Sequence, residues 1–389
     1  MVQRFPGYGG AEEYVLQLIQ RLAGNGIACT IYTSNLDERS VWNLPKSVRV
    51  VKFPVVFQVG EYAVWNGLLK ELLTSHVDIF HVNTYGYFHT DLVSLVHRIK
   101  NMKVVLTSHG FHGLDMYFNS FKSNVGKKSK VSFLSKCRYL SRPFYDLTLG
   151  LNEVNSADAL VALSEKDVEI YRWMGAEESK IHDIPQGVRD VFFESPDKVA
   201  VAKLREQING DPVILSVGEL SCAKAKDTAL RAMALLVKEC PRAKLVFVGK
   251  DGGTYGLLKN LAVHLGIEEN VLFVGYVSSD QLINYYHVAD VLVHTSLAEG
   301  LSTIILEALA AGVPIVSTPA GGNAYLLKKS NAGIVVPFND PNSVYLAVSK
   351  IMGGKPFKKS LSANGSDYAL RNFQWDKIAK KYQSLYETL

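Results

Sequence analysis

Short, nearly continuous apolar runs alternate with segments of helical period along the whole of this chain, and they do so in two successive series. In the first half the runs are IACTIYT (27–33), DIFHVN (78–83), KVVLTS (103–108) and DALVALS (158–164). In the second half they are PVILSVG (212–218), KLVFVG (244–249), VLFVG (271–275), DVLVHTS (290–296), PIVST (314–318) and GIVVP (333–337). A strand that is apolar on both faces must be covered on both. Helices placed between consecutive strands achieve this when the strands run parallel. The pattern therefore predicts an α/β chain with two doubly wound domains. At 389 residues the chain is also longer than one core ordinarily organises.

The boundary is expected near IPQGVRDVFF (184–193), where a Pro and a Gly interrupt the pattern ahead of a polar stretch. That gives a first domain over 1–190, a second over 191–372 and a terminal helical segment over 373–389. In the last segment Trp375, Ile378, Ala379, Tyr382, Leu385, Tyr386 and Leu389 fall at helical spacing. Periodicity alone leaves open whether this stripe packs on its own domain or crosses back to the first. At the other end, MVQRFPGYGG offers few residues ahead of its glycines, so the central strand of the first sheet is expected to be truncated or to begin upstream.

Composition narrows the function classes. With 48% hydrophobic and 20% charged residues the chain is too apolar for disorder. No run of about 18 uncharged apolar residues is long enough to cross a bilayer, and Met1 leads into a polar, Gly-rich loop rather than a secretory core. Cys29, Cys137, Cys222 and Cys240 show no CxxC or metal spacing and read as reduced thiols of a cytoplasmic protein. Seven cations, Lys122, Lys127, Lys128, Lys130, Lys136, Arg138 and Arg142, outnumber the net charge of +5 and lie in 119–142 without an acidic residue. Phe121, Phe133, Leu134 and Tyr139 are interleaved with them. The mixture suits an anionic membrane surface or a phosphate-bearing acceptor, with a solvated loop as the plain alternative. Confinement of the cations to one segment and the lack of a reader motif argue against nucleic acid.

Four places carry candidate chemistry. Gly9 and Gly10 open a helix with Val15, Leu18, Ile19 and Leu22 on one face, and such a turn presents amides to phosphate. In LAEGLSTIILEALAAGVP, Ser302 is placed to cap a helix running to about Ala311. Glu299 stands beside the amides of Gly300, Leu301, Ser302 and Thr303, and Glu307 lies inside the helix, either on a solvated edge or in a site. A carboxylate beside a phosphate site has a use if it accepts from sugar hydroxyls. A strand ends at Gly218, and Lys224 in the following loop is placed to neutralise a leaving diphosphate, or is a surface lysine. His109 follows the strand KVVLTS, with His112 three residues on.

Taken together, GGAE at 9–12, the stretch SLAEGLSTIILEALAAGVPIVSTPAGG (296–322) and VGYVSSDQLINYYHVADV (274–291) resemble the retaining glycosyltransferases of family 4. The resemblance runs over nearly the whole chain. It implies the GT-B fold, two Rossmann-like domains facing across a cleft. It further implies that Glu299 contacts donor-sugar hydroxyls, Glu307 holds a ribose, Lys224 binds a diphosphate and His109 sits near the reacting sugar. The backbone about Tyr276 and Val277 would meet the base, and Gly9, Gly10 and Gly218 would approach phosphate or acceptor. The implied activity is transfer of a hexose from a UDP- or GDP-sugar to a hydroxyl acceptor with retention, lipid-linked and cell-envelope glycans being among the acceptors considered. No metal is implied as obligatory. The expected place is the cytoplasm, with peripheral attachment to the inner face of the membrane through 119–142. The chain departs from the family pattern at Glu219, where an arginine is usual, at Ala225 for a glycine, around Ala324 and Tyr325 for an acidic residue, and at Gln186 for an asparagine. Glu219 motivates one rival, a non-catalytic nucleotide-sugar-binding partner. A sugar-nucleotide epimerase is the other.

Overall fold

A computed structural model describes residues 1–5, 10–36, 44–59, 62–109 and 144–389. Gly9, His112 and the basic segment 119–142 lie outside the described residues. The chain divides into two compact units, Met1–Gly187 with Trp375–Leu389, and Val188–Gln374.

The first unit carries the parallel pair β1 (Thr30–Ser34) and β2 (Arg49–Phe53), an antiparallel hairpin of β3 (Val55–Val59) and β4 (Tyr62–Trp65), and a parallel sheet β5 (Ile79–Asn83), β6 (Lys103–Thr107), β7 (Ala159–Ala162) and β8 (Ile181–Asp183). Residues 1–3 hold the place between β1 and β5. Val2 N donates to Tyr32 O at 3.1 Å and Ser34 N to Gln3 O at 3.2 Å on one side, and Asn83 N donates to Met1 O at 3.0 Å on the other. Strands β2, β3, β4 and β8 are additions to the sequence reading. Polar residues interrupt RVVKF and IHD is three residues long, so neither makes an apolar run. The helices are α1 (Gly10–Gly24), α2 (Leu68–Thr74), α3 (Phe88–His97), α4 (Leu151–Ser156) and α5 (Glu165–Trp173).

The terminal helix, which we number last, packs here. Trp375–Glu387 buries Trp375, Ile378, Ala379, Tyr382 and Leu385. It lies against α1, with the Tyr14 and Trp375 rings 5.4 Å apart and Arg21 Nε bonded to Asp376 at 2.9 Å.

The second unit is one parallel sheet in the order β11 (Val271–Gly275), β10 (Lys244–Val248), β9 (Val213–Val217), β12 (Val291–His294), β13 (Ile315–Ser317), β14 (Gly333–Val335). Its helices are α6 (Lys198–Ile208), α7 (Lys226–Leu236), α8 (Tyr255–His264), α9 (Ser279–Val288), α10 (Thr303–Ala310), α11 (Asn323–Ser330), α12 (Pro341–Gly353) and α13 (Lys355–Asn372), so that the terminal helix is α14. Leu215, Leu292, Ile305, Leu306 and Leu309 form the core on one face, and Ile214, Leu230, Phe247 and Val291 on the other. Chain order reverses between β9 and β12. Crossovers leave opposite faces there, and the strand ends open into a crevice, the usual ligand position of such sheets.

Candidate functional site

At that reversal the second unit gathers its polar side chains. Strand β9 runs out into Gly218 at φ 112°, and Gly249 at φ 154° lies against it so closely that a Cβ on Gly249 would collide with the Gly218 carbonyl. Backbone passes backbone here, leaving little room for side chains. A single turn, Cys222–Lys224, leads to Ala225 at φ 40° and then to α7. The next loop is tied back onto this one. Thr295 Oγ1 donates to Lys224 O at 3.1 Å and Ala225 O at 2.9 Å, and Leu297 N donates to Ala223 O at 2.9 Å.

The two loops bring Lys224 and Glu299 together. Lys224 Nζ lies 2.6 Å from Glu299 Oε1, and His294 Nε2 donates to the same oxygen at 3.0 Å. Burial would raise the Glu299 carboxyl, but His294 and Lys224 outweigh it and hold the group well below the usual carboxylate range. His294, 1% exposed, is pushed below an ordinary imidazole chiefly by burial, with Glu299 opposing. A neutral ring fits a single Nε2–H pointing at the carboxylate.

Two expectations change in detail. Ser302 does stand ahead of α10, but its hydroxyl makes no cap bond; it lies 3.3 Å from His294 Nε2. Glu307 is half-buried and accepts from the Tyr286 hydroxyl at 2.8 Å, so the solvated-edge reading is set aside. Glu219 pairs with Lys250 at 3.4 Å, a partly exposed contact worth little in stability. Tyr276 is 63% exposed just beyond β11, and Val277 packs on the core. Gly300 is braced by the glycine turn after β13: Gly322 N donates to Gly300 O at 3.0 Å.

In the first unit His109 follows β6 in the left-handed region at φ 52°, a conformation that costs a non-glycine residue about 1–2 kcal/mol. Its Nε2 donates to Asn83 Oδ1 at 3.1 Å, and the Tyr14 ring meets it edge-on at 4.6 Å. Tyr14 is hydrogen-bonded through its hydroxyl to Tyr382 of α14. Below them His81 Nδ1 lies 2.6 Å from the Tyr386 hydroxyl and its Nε2 2.8 Å from Thr107 Oγ1. Burial pushes this imidazole well below its ordinary value. Gly10 is the exposed first residue of α1.

Sequence reasoning missed Asn83, His294, Tyr286 and Lys226. The signal for the first two was present, since HVN and LVH each end an apolar strand on a polar residue at the carboxyl edge of the sheet. Among the described residues no group of three or more His, Cys, Asp or Glu is placed to hold a metal, and no helix is long and apolar enough to cross a membrane.

Comparison with known proteins accounts for both units. Residues 8–191 match the model described as Glycosyltransferase Family 4, and residues 202–368 match Glycosyl transferases group 1. A D-inositol 3-phosphate glycosyltransferase of Streptomyces bingchenggensis is 26% identical, over 97% of this chain and 84% of that relative. A GDP-mannose-dependent alpha-(1-6)-phosphatidylinositol monomannoside mannosyltransferase of Mycobacterium tuberculosis is 30% identical, over 51% of this chain and 53% of the relative. Among solved structures, sucrose-phosphate synthase of Thermosynechococcus elongatus superposes with a TM-score of 0.78 at 21% identity, covering 98% of this chain and 93% of that one. HepE of Anabaena, solved in complex with UDP-glucose, gives 0.76 at 18% identity, with 100% and 98% covered. At such identities these structures establish a shared fold, that of the GT-B glycosyltransferases.

Proposed function

The chain belongs to the family-4 type of glycosyltransferases, and from that premise we propose that it moves a hexose from a UDP- or GDP-sugar to a hydroxyl acceptor with retention at the anomeric carbon. The observation that carries this reading is the Lys224–Glu299–His294 cluster at the point where the chain order of the second sheet reverses. A diphosphate needs cations and free amides, and a sugar needs a carboxylate that accepts from its hydroxyls. Lys224, the start of α10 and Glu299 supply these within one pair of loops.

In the free protein the ammonium and the carboxylate satisfy each other. Donor binding would exchange that pair for two new ones, Lys224 with the diphosphate and Glu299 with sugar hydroxyls. As the glycosidic bond breaks, charge grows on the diphosphate, and Lys224 with the helix amides stabilises it. The departing phosphate would take the acceptor proton on the same face. Glu307, with Tyr286 fixing one oxygen, is assigned the ribose, and the backbone about Tyr276 and Val277 the base. His109 is assigned to the reacting sugar, and Gly10 to phosphate or acceptor. The UDP-glucose complex of HepE makes UDP-glucose the first donor to test, and the mannosyltransferase relative makes GDP-mannose the second.

The reading takes no metal as obligatory, so turnover is measured with EDTA and with Mg²⁺. The acceptor panel includes lipid-linked and inositol phosphate hydroxyls. Lys224→Ala should lower turnover about 10²–10³-fold, the scale for one lost transition-state partner. Near-normal turnover would remove Lys224 from its role, and donor conversion without an acceptor would favour an epimerase.

A further inference from the structure

Two residues beyond Lys224 the chain buries a second ammonium. Lys226, the first residue of α7, is 2% exposed. Its Nζ donates to Ser216 Oγ at 2.9 Å and Val217 O at 2.6 Å, and lies 5.9 Å from the centre of the Phe247 ring. It also sits under the Gly218 turn, 3.9 Å from where a Cβ on that glycine would be.

Every bonded partner of this cation is neutral. The charged and titratable groups that face it are Lys224 from the loop before α7, Glu299 from the loop after β12, and His294 from β12. Glu299 is already engaged by Lys224 and His294. A cation at the first position of a helix also meets the positive end of its dipole. Burial first, then Lys224, lower the Lys226 ammonium to about 7 against the pull of Glu299. The cluster thus holds two ammonium groups against one carboxylate that is already engaged, and the diphosphate of the proposed donor would bring the missing negative charge to the Gly218 turn.

We propose that Lys226 is a proton-coupled counter-charge for the donor's diphosphate, protonated when a diphosphate settles at the Gly218 turn beside Lys224 and released from that proton when the diphosphate leaves. The inference rests on the nucleotide-sugar reading of this site. The step moves one proton from solvent onto the free electron pair of Nζ and breaks no other bond. Lys226 is a positioning residue: its Nζ is held by Ser216 and Val217 under the Gly218 turn, so it would act on the diphosphate through its charge and not by contact. It supplies a cation next to the position where the chain has Glu219.

The test is titration calorimetry with UDP and, separately, GDP at pH 8 in buffers of different ionisation enthalpy. At that pH the terminal phosphate has already lost its last proton, so uptake belongs to the protein. The expected result is a slope approaching about one proton taken up per nucleotide, with affinity weakening by up to about tenfold per pH unit above neutrality. Lys226→Met should abolish the slope. Lys226→Gln, which keeps a donor for Ser216, should do the same and serves if the methionine variant does not fold. Nucleotide binding without proton uptake overturns the inference while leaving the proposed function intact. Uptake that persists in both variants overturns it in favour of His294. If neither UDP nor GDP binds, the proposed function falls and this inference falls with it.

Discussion

Lys226→Met should make the second unit more stable at neutral pH, and the gain should fade as pH rises. In the unfolded chain this lysine titrates near its ordinary 10.5, and in the folded chain near 7. Between those values the unfolded state holds more protons than the folded one, so wild-type stability climbs with pH. The slope approaches about 1.4 kcal/mol per pH unit and is halved near pH 7, which gives a rise of about 2 kcal/mol between pH 7 and 9. At pH 7 the cost of the buried, half-protonated amine is about 4 kcal/mol.

Methionine fills a similar volume without charge, but it forfeits two hydrogen bonds worth roughly 1–2 kcal/mol together. Ser216 keeps its own bond to Val293 O at 2.9 Å. The net expectation is a gain of about 2–3 kcal/mol at pH 7 and less than about 1 kcal/mol at pH 9. The second unit, Val188–Gln374, contains no tryptophan, so tryptophan fluorescence does not report on it directly. Urea unfolding is better followed by a fixed hydrogen-exchange pulse and mass spectrometry of peptides covering 213–236. A variant less stable than wild type at pH 7, with the same pH profile, would falsify the argument, because the ammonium would then be stabilising the fold.

Three further outcomes are expected. Ala225→Gly should stabilise the second unit by up to about 1 kcal/mol in a urea melt, since φ 40° is free of strain only for glycine and part of the gain is returned as unfolded-state entropy; a loss of stability would show the turn to be relaxed as it stands. Asn83→Ala should lower kcat about tenfold, the worth of one hydrogen bond to His109, with KM for donor little changed. An unchanged kcat, or a change confined to KM, would leave Asn83 a structural residue. Replacing Lys127, Lys128 and Lys130 with glutamine should weaken binding to vesicles containing anionic lipid by about 1 kcal/mol per charge, and equal binding by wild type and variant would return 119–142 to a solvated role.

The strand runs, the helices between them and the block around Glu299 were legible because each is a local property. An apolar run followed by a helical stripe reports its burial whatever it packs against, as Ile305, Leu306 and Leu309, all 0% exposed, illustrate. Lys224 could be singled out because it follows a strand end by a few residues. Lys226 could not. In sequence it is one more lysine in AKAKD, and its burial follows only from α7 turning its first residue under β9.

The same division runs through the whole chain. Sequence alone determined that helix-covered parallel strands recur in two successive series, where the glycine turns fall, and that the last helix has a face to bury. Tertiary structure decided that this face meets α1, that Tyr382 reaches Tyr14 beside His109, and that His294 and Lys224 converge on one oxygen of Glu299. Periodicity is written into neighbouring residues, whereas β9 and β12 are separated by two intervening strands in the chain and become neighbours only when the sheet closes its order. Charges that far apart in sequence tune one another only after that pairing removes the water between them.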